Sequence, residues 1–199
     1  MNYGKLLYDR KLTVGTAGNL SARSGDAIVI TPTGVCKGLM HEYDLIRMEI
    51  STGRVTAGGK PSMETPFHLA FYRNRADVGA VIHCHPLYCT VLASSKKKLR
   101  ADITPEGIMV LNEVQTVPYA TPGSEELAHS LIVAMQKGNG FLLENHGAIA
   151  VGKDVAEAYY RMETMEFLAE MQVKGASTGL APLPEEEANR IRSAFCEEK

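Results

Sequence analysis

The sequence has no CxxC pair and no even ladder of cysteine spacings; its four cysteines stand at Cys36, Cys84, Cys89 and Cys196. That excludes a zinc ribbon and a disulfide framework, and makes a reducing compartment the expectation. No stretch approaches the ~20 apolar residues of a membrane span. The first ten residues, MNYGKLLYDR, lack the uninterrupted apolar run of a signal peptide. The expected location is cytoplasmic, with no membrane partner. Positive charge is not in surplus either: 21 Lys+Arg face 23 Asp+Glu, a formal net charge of −2. A general nucleic-acid binder needs a basic face to neutralise phosphates, so no nucleic-acid partner is expected, whereas a small phosphorylated substrate remains open. There is no internal repeat, no Walker loop and no GxGxxG, so nucleotide binding has no motif behind it.

What is present is an ordinary globular composition: 199 residues, 45% hydrophobic and 22% charged. A chain of this length can bury roughly 70% of its unfolded surface without covalent staples, enough for one domain and too little for two. Residues 1–199 therefore read as a single domain. Gly175-Ala176-Ser177-Thr178-Gly179, followed by Pro182, Pro184 and the acidic triplet Glu185 to Glu187, marks 175–199 as a C-terminal appendage.

Local patterns alternate between strands and helices. A short helix through about Leu12 precedes a Gly-rich turn and a hairpin of Leu20 to Arg23 with Ala27 to Ile30; a second hairpin runs Ile46 to Val55 around Ser51-Thr52-Gly53. A helix from about Thr65 to Asn74 has Pro66 in its first turn, and Ala80 to His85 reads as a buried strand stopped by Pro86, with helical character from Leu87 to Ala93. The basic run Lys96-Lys97-Lys98 reads as a solvated helix end. Ser124 caps a helix ending near Gly138, Phe141 to Leu143 and Ala148 to Val151 read as strands, and Asp154 with Glu157 forms a capping box for a helix to about Lys174. The fold class expected is α/β, a three-layer α/β/α sandwich over a mostly antiparallel sheet.

Chemistry concentrates in the histidines. His83 and His85 are two apart on a strand, so their side chains project together and could grip one ion. His146 lies in Glu144-Asn145-His146-Gly147, a tight turn between two apolar strands that could point its ring into a cleft. Three imidazoles with one position open is the pattern of a catalytic zinc site. Cys84 should face the other side of the strand, into the core. Glu64, in Pro61-Ser62-Met63-Glu64-Thr65-Pro66, is either an acid/base group or only a helix-start carboxylate. His68, one turn on, shares its face but reads as packed and stays outside the metal set, while His41 and His129 read as surface residues. The loops Gly15 to Ser21, Thr31 to Gly34 and Gly58 to Ser62 are either ordinary turns or anion nests, where backbone N–H groups with Ser, Thr and Asn side chains can hold a phosphate without a lysine.

Gly18-Asn19-Leu20-Ser21, Ile30-Thr31-Pro32-Thr33-Gly34, Pro61-Ser62-Met63-Glu64, His83-Cys84-His85-Pro86, Pro118-Tyr119-Ala120-Thr121-Pro122-Gly123 and Glu144-Asn145-His146-Gly147, in this order, resemble the class II aldolase/adducin family from about Leu6 to about Lys174. The resemblance implies a homotetramer with active sites at subunit interfaces and Zn2+, or Mn2+ or Co2+, held by His83, His85 and His146. Glu64 matches the acid/base carboxylate, which can also approach the metal. Thr16, Asn19, Thr33, Gly34 and Ser62 match phosphate-binding positions, and Met63 stands where the aldolase branch has a second serine. The activity implied is reversible cleavage of a ketose 1-phosphate, such as L-fuculose 1-phosphate, to dihydroxyacetone phosphate and a small aldehyde such as lactaldehyde. Rivals within the family are a methylthioribulose-1-phosphate dehydratase and a pentulose-5-phosphate 4-epimerase. An adducin-like interaction module is the non-enzymatic alternative, disfavoured by the three histidines and Glu64.

Overall fold

The computed structural model of the protein describes residues 2–196; positions 197–199 of the expected appendage lie outside them. Eight strands form one sheet in the order β4-β3-β2-β1-β5-β8-β7-β6. They are β1 Asn19–Ser24, β2 Ala27–Ile30, β3 Ile46–Glu49, β4 Val55–Ala57, β5 Ala80–Cys84, β6 Val114–Val117, β7 Gly140–Leu143 and β8 Gly147–Gly152. Every neighbouring pair is antiparallel except β6 with β7. The mostly antiparallel sheet is therefore as the sequence suggested.

Helices cover both faces. On one lie α1 Asn2–Asp9, α3 Leu87–Ser94, α4 Pro105–Leu111 and α6 Val155–Lys174; on the other lie α2 Thr65–Asn74 and α5 Glu125–Ala134. β5 shows how one strand serves both: Ala80, Ile82 and Cys84 join the core beneath α3 and α6, while Val81 joins that beneath α2 and α5. Cys84 is 1% exposed on the face expected for it. The helix starts follow local chemistry. Ser124 accepts a hydrogen bond from Leu127 N, and Asp154 accepts one from Glu157 N while Glu157 accepts from Lys153 N, so orphan amides at both starts are satisfied.

Three elements were not foreseen. β6 has its end valines buried and Gln115 and Thr116 half-buried, so it shows no alternation to read. α4 is a seven-residue helix that opens with a proline and contains a glycine. α7, Glu185–Phe195, follows the prolines of the C-terminal segment and packs on α4, where Cys196 Sγ reaches Ile108 O at 3.6 Å. No helix among the described residues is long and apolar enough to cross a membrane.

Candidate metal centre

The chemistry gathers at one end of three adjacent strands. Asn19 opens β1 and pairs with His83 near the end of β5; β5 pairs in turn with β8, which His146 immediately precedes. The β7–β8 turn holds His146 inward: His146 N donates to Leu143 O at 3.1 Å, and Asn145 takes the left-handed conformation at φ 54°. Asparagine is among the few residues that tolerate that region. From the α2 face, Glu64 sits at the residue before the helix and places its carboxylate over His83.

The ring nitrogens of His83, His85 and His146 that face inward lie within 4.8 Å of one another. His85 Nε2 is 3.0 Å from His83 Nε2, and Glu64 stands 3.1 Å from His83 Nε2 and 3.3 Å from His146 Nε2. His83 Nδ1 lies 2.9 Å from the Ala148 carbonyl, which can only accept, so that nitrogen donates a proton and leaves Nε2 facing the centre. Burial, followed by the charge of neighbouring histidines, pushes His85 and His146 down to about 4, which keeps both rings neutral near pH 7. Burial alone would raise the Glu64 carboxyl. His83, the Asn19 amide and His146 outweigh burial and hold Glu64 well below the usual carboxylate range.

Three ring nitrogens and a carboxylate therefore converge on one point. Glu64 Oε1 and His146 Nδ1 are buried without a hydrogen-bond partner. Three imidazoles and a carboxylate at this spacing fit a divalent cation, and the donor set matches open three-histidine zinc sites better than thiolate-rich structural ones.

Behind the centre runs a chain of hydrogen bonds that the sequence gave no sign of. Glu64 Oε2 accepts from Asn19 Nδ2 at 2.8 Å, so Asn19 Oδ1 turns away to accept from His68 Nε2. That fixes His68 with Nδ1 as acceptor for the Ser21 hydroxyl at 2.7 Å, and Ser21 Oγ lies 2.8 Å from Tyr72 Oη. His68 is fully buried and pushed down to about 3 by burial. It is packed, as expected, stacked on Phe67 at 4.6 Å, and it also orients Asn19. Asn19, expected at the phosphate, thus has its carbonyl and one N–H engaged, leaving one N–H for any ligand. His41 and His129 are exposed, as read.

Beside the centre opens a cavity of about 490 Å³. Its walls include Thr16, Asn19, Thr33, Gly34 and Ser62, so the expected phosphate residues meet across three loops. Glu64, His85 and His146 line the same space, and Met63, 68% exposed, stands at it. One further lining residue escaped the sequence reading: Lys37, 2% exposed, with its ammonium 2.8 Å from both Thr16 O and Val35 O.

The fold is an α/β sandwich that gathers three histidines able to hold a metal ion, and a carboxylate, beside a cavity. The description "Class II Aldolase and Adducin N-terminal domain" matches residues 1–173, and the chain belongs to that family. It is 38% identical to an L-fuculose phosphate aldolase of Methanococcus maripaludis over 167 residues, 84% of this chain and 90% of that one. It is 35% identical to a 3-oxo-tetronate 4-phosphate decarboxylase of Haemophilus influenzae over 173 residues, 84% and 82% of the two chains. Among solved structures, an L-fuculose 1-phosphate aldolase superposes with a TM-score of 0.90 at 35% identity, covering 98% of this chain and 92% of that one.

Proposed function

We propose that the protein is a Zn2+-dependent class II aldolase that reversibly cleaves a ketose 1-phosphate, of the L-fuculose 1-phosphate kind, to dihydroxyacetone phosphate and a small aldehyde such as lactaldehyde. The observation that carries this reading is the convergence of His83, His85, His146 and Glu64 on one point beside the cavity, where the buried Glu64 Oε1 has no hydrogen-bond partner. His83, His85 and His146 would hold the ion, and Mn2+ and Co2+ suit the same imidazole donors. Once bound, such an ion would act as a Lewis acid toward carbonyl and neighbouring hydroxyl oxygens.

Glu64 is the residue for the proton. In the condensation direction its carboxylate takes a proton from the carbon next to the carbonyl of dihydroxyacetone phosphate; in cleavage it returns that proton to the carbon freed when the C–C bond breaks. Asn19 holds the carboxylate through its amide, and His68, Ser21 and Tyr72 hold Asn19. Thr16, Thr33, Gly34 and Ser62, with the remaining N–H of Asn19, would receive the phosphate. A homotetramer with shared clefts is part of the proposal, supported by the exposure of Leu39, Tyr43 and Met63. We propose a cytoplasmic location.

A second reading, decarboxylation of a phosphorylated 3-oxo acid, is favoured by the relatives of that name at 35% identity. Both reactions break a C–C bond and leave an enediolate, so one site can serve either. Metal-loaded protein incubated with dihydroxyacetone phosphate and a panel of aldehydes, beside ketopentose phosphates and a 3-oxo acid phosphate, separates them: a new C–C bond supports the aldolase, and CO2 release without one supports the decarboxylase. Glu64→Gln should keep bound metal and lose turnover ~100-fold or more; full turnover with full metal would defeat its role. His146→Ala should lose metal.

A further inference from the structure

Lys37 is a buried cation without a counter-ion. Its residue is 2% exposed, and none of the ion pairs among the described residues includes it. Of the three N–H bonds of an ammonium, two go to carbonyls, Thr16 O and Val35 O, each at 2.8 Å. Those carbonyls belong to the Gly-rich loop and to the turn after Gly34, and Thr16, Gly34 and Lys37 itself line the same cavity.

The burial is built in from behind. α1 lies across this stretch so closely that a Cβ on Gly4 would be 3.3 Å from Lys37 O, and one on Gly38 would be 2.6 Å from the Tyr8 ring. The backbone at Lys37 and Gly38 is thus pinned under the helix, and the lysine stem runs inward. Burying an ammonium with only carbonyl partners is costly. Burial lowers its proton affinity, opposed through space by Cys84, Cys36 and Glu64. An unpaired charge beside an otherwise hydroxyl-lined and amide-lined cradle is what an anionic ligand would complete.

We infer that Lys37 is the fixed positive charge of the anion cradle, ties its two loops together, and gives its third N–H to the phosphate of the substrate. This rests on the sugar-phosphate reading above and adds to it a charged group that selects phosphorylated over unphosphorylated ligands. Lysine acts here as a point charge at the base of the site, while the loop hydroxyls and amides supply direction.

The test uses inorganic phosphate as its probe. Calorimetric titration of metal-loaded wild-type protein, Lys37→Met and Lys37→Gln should show phosphate binding weakened ~10- to 100-fold in both variants, the range for losing a hydrogen bond to a charged group. Glutamine can still donate to a loop carbonyl, so it covers the case in which the methionine variant folds poorly. Where the wild type turns over a sugar phosphate, the ratio of kcat/KM for phosphorylated over unphosphorylated sugar should fall by a similar factor, mostly through KM. Phosphate affinity equal to wild type in the glutamine variant overturns the inference. So does a loss of metal content or an equal loss on both kinds of sugar, which would make Lys37 only a tie between loops. A wild type that binds phosphate but turns over no sugar phosphate defeats the aldolase reading alone, and the comparison of phosphate affinities still decides the role of Lys37.

Discussion

Gly147→Ala is the sharpest probe of how the backbone sets the proposed metal centre, because it replaces no proposed ligand. Gly147 opens β8 directly after His146, and its Cα faces the end of β5. A Cβ built there would stand 2.5 Å from Cys84 O and 2.7 Å from His85 Cδ2, against ordinary contact from 3.4 Å. The shortfall is roughly 1 Å at a backbone carbonyl and at an imidazole, and in a close-packed interior neither can yield without moving the strand end. Overpacking of this kind costs about 1–3 kcal/mol. The ring displaced is His85, whose Nε2 lies 3.0 Å from that of His83, so ion binding should weaken along with stability. Losses of ~10- to 100-fold are typical when the support of a metal-binding histidine is disturbed. Competition with a chromophoric chelator measures Zn2+ affinity, and thermal unfolding measures stability. Gly79→Ala is the control: its Cβ would collide with Lys153 O at the far end of β5, so stability should fall while Zn2+ affinity holds. Wild-type Zn2+ affinity in Gly147→Ala, or equal losses in the two variants, would refute the argument that the β8 start positions His85.

Two further outcomes follow from groups that surround the site. His68 is pushed from its ordinary 6.5 down to about 3 by burial, so between those values the unfolded chain takes up a proton that the folded chain refuses. Its contribution is intact above about 6.5 and is lost as pH falls toward 3; thermal unfolding of His68→Gln should therefore decline less steeply with acid than wild type, by up to a few kcal/mol. Asp154→Ala removes the cap of α6 and should cost ~1 kcal/mol, a drop of a few degrees in Tm, with bound metal unchanged.

What was legible in the sequence was local. The period of two placed His83 and His85 together because β5 is regular through Cys84 and pairs on both sides. Thr65–Asn74 was legible to the residue because Pro66 and the helical spacing of Phe67, Ala70 and Phe71 agree. Asp154 and Glu157 marked the start of α6 for the same reason. What escaped depends on distance along the chain. Lys37 looks like one more loop lysine until α1 closes over it. Ser21 and Tyr72 are 51 positions apart, and Asn19 and His68 are 49, yet they meet behind Glu64. No local pattern announces such a relay, and it is why Asn19, read as a phosphate ligand, turns out also to clamp the carboxylate. β6 escaped for a different reason: a parallel partner chosen across the sheet imposes no alternation on Val114–Val117.

The two halves of the centre are anchored by different means. His83 is held within, and His146 directly beside, the antiparallel ladder of β5 with β8, so their separation is set by main-chain hydrogen bonds that survive most side-chain changes. Glu64 hangs from the short turn Ser62 to Thr65, where Thr65 Oγ1 donates to Ser62 O and Glu64 N donates to Ser62 Oγ, with exposed Met63 between. The proposed ion seat is thus set by main-chain pairing, while the carboxylate is set by that turn and by the side-chain relay through Asn19. Substitutions at Met63 or along the relay should therefore move the carboxylate relative to the proposed ion seat, while the pairing of β5 with β8 leaves the three histidines where they are.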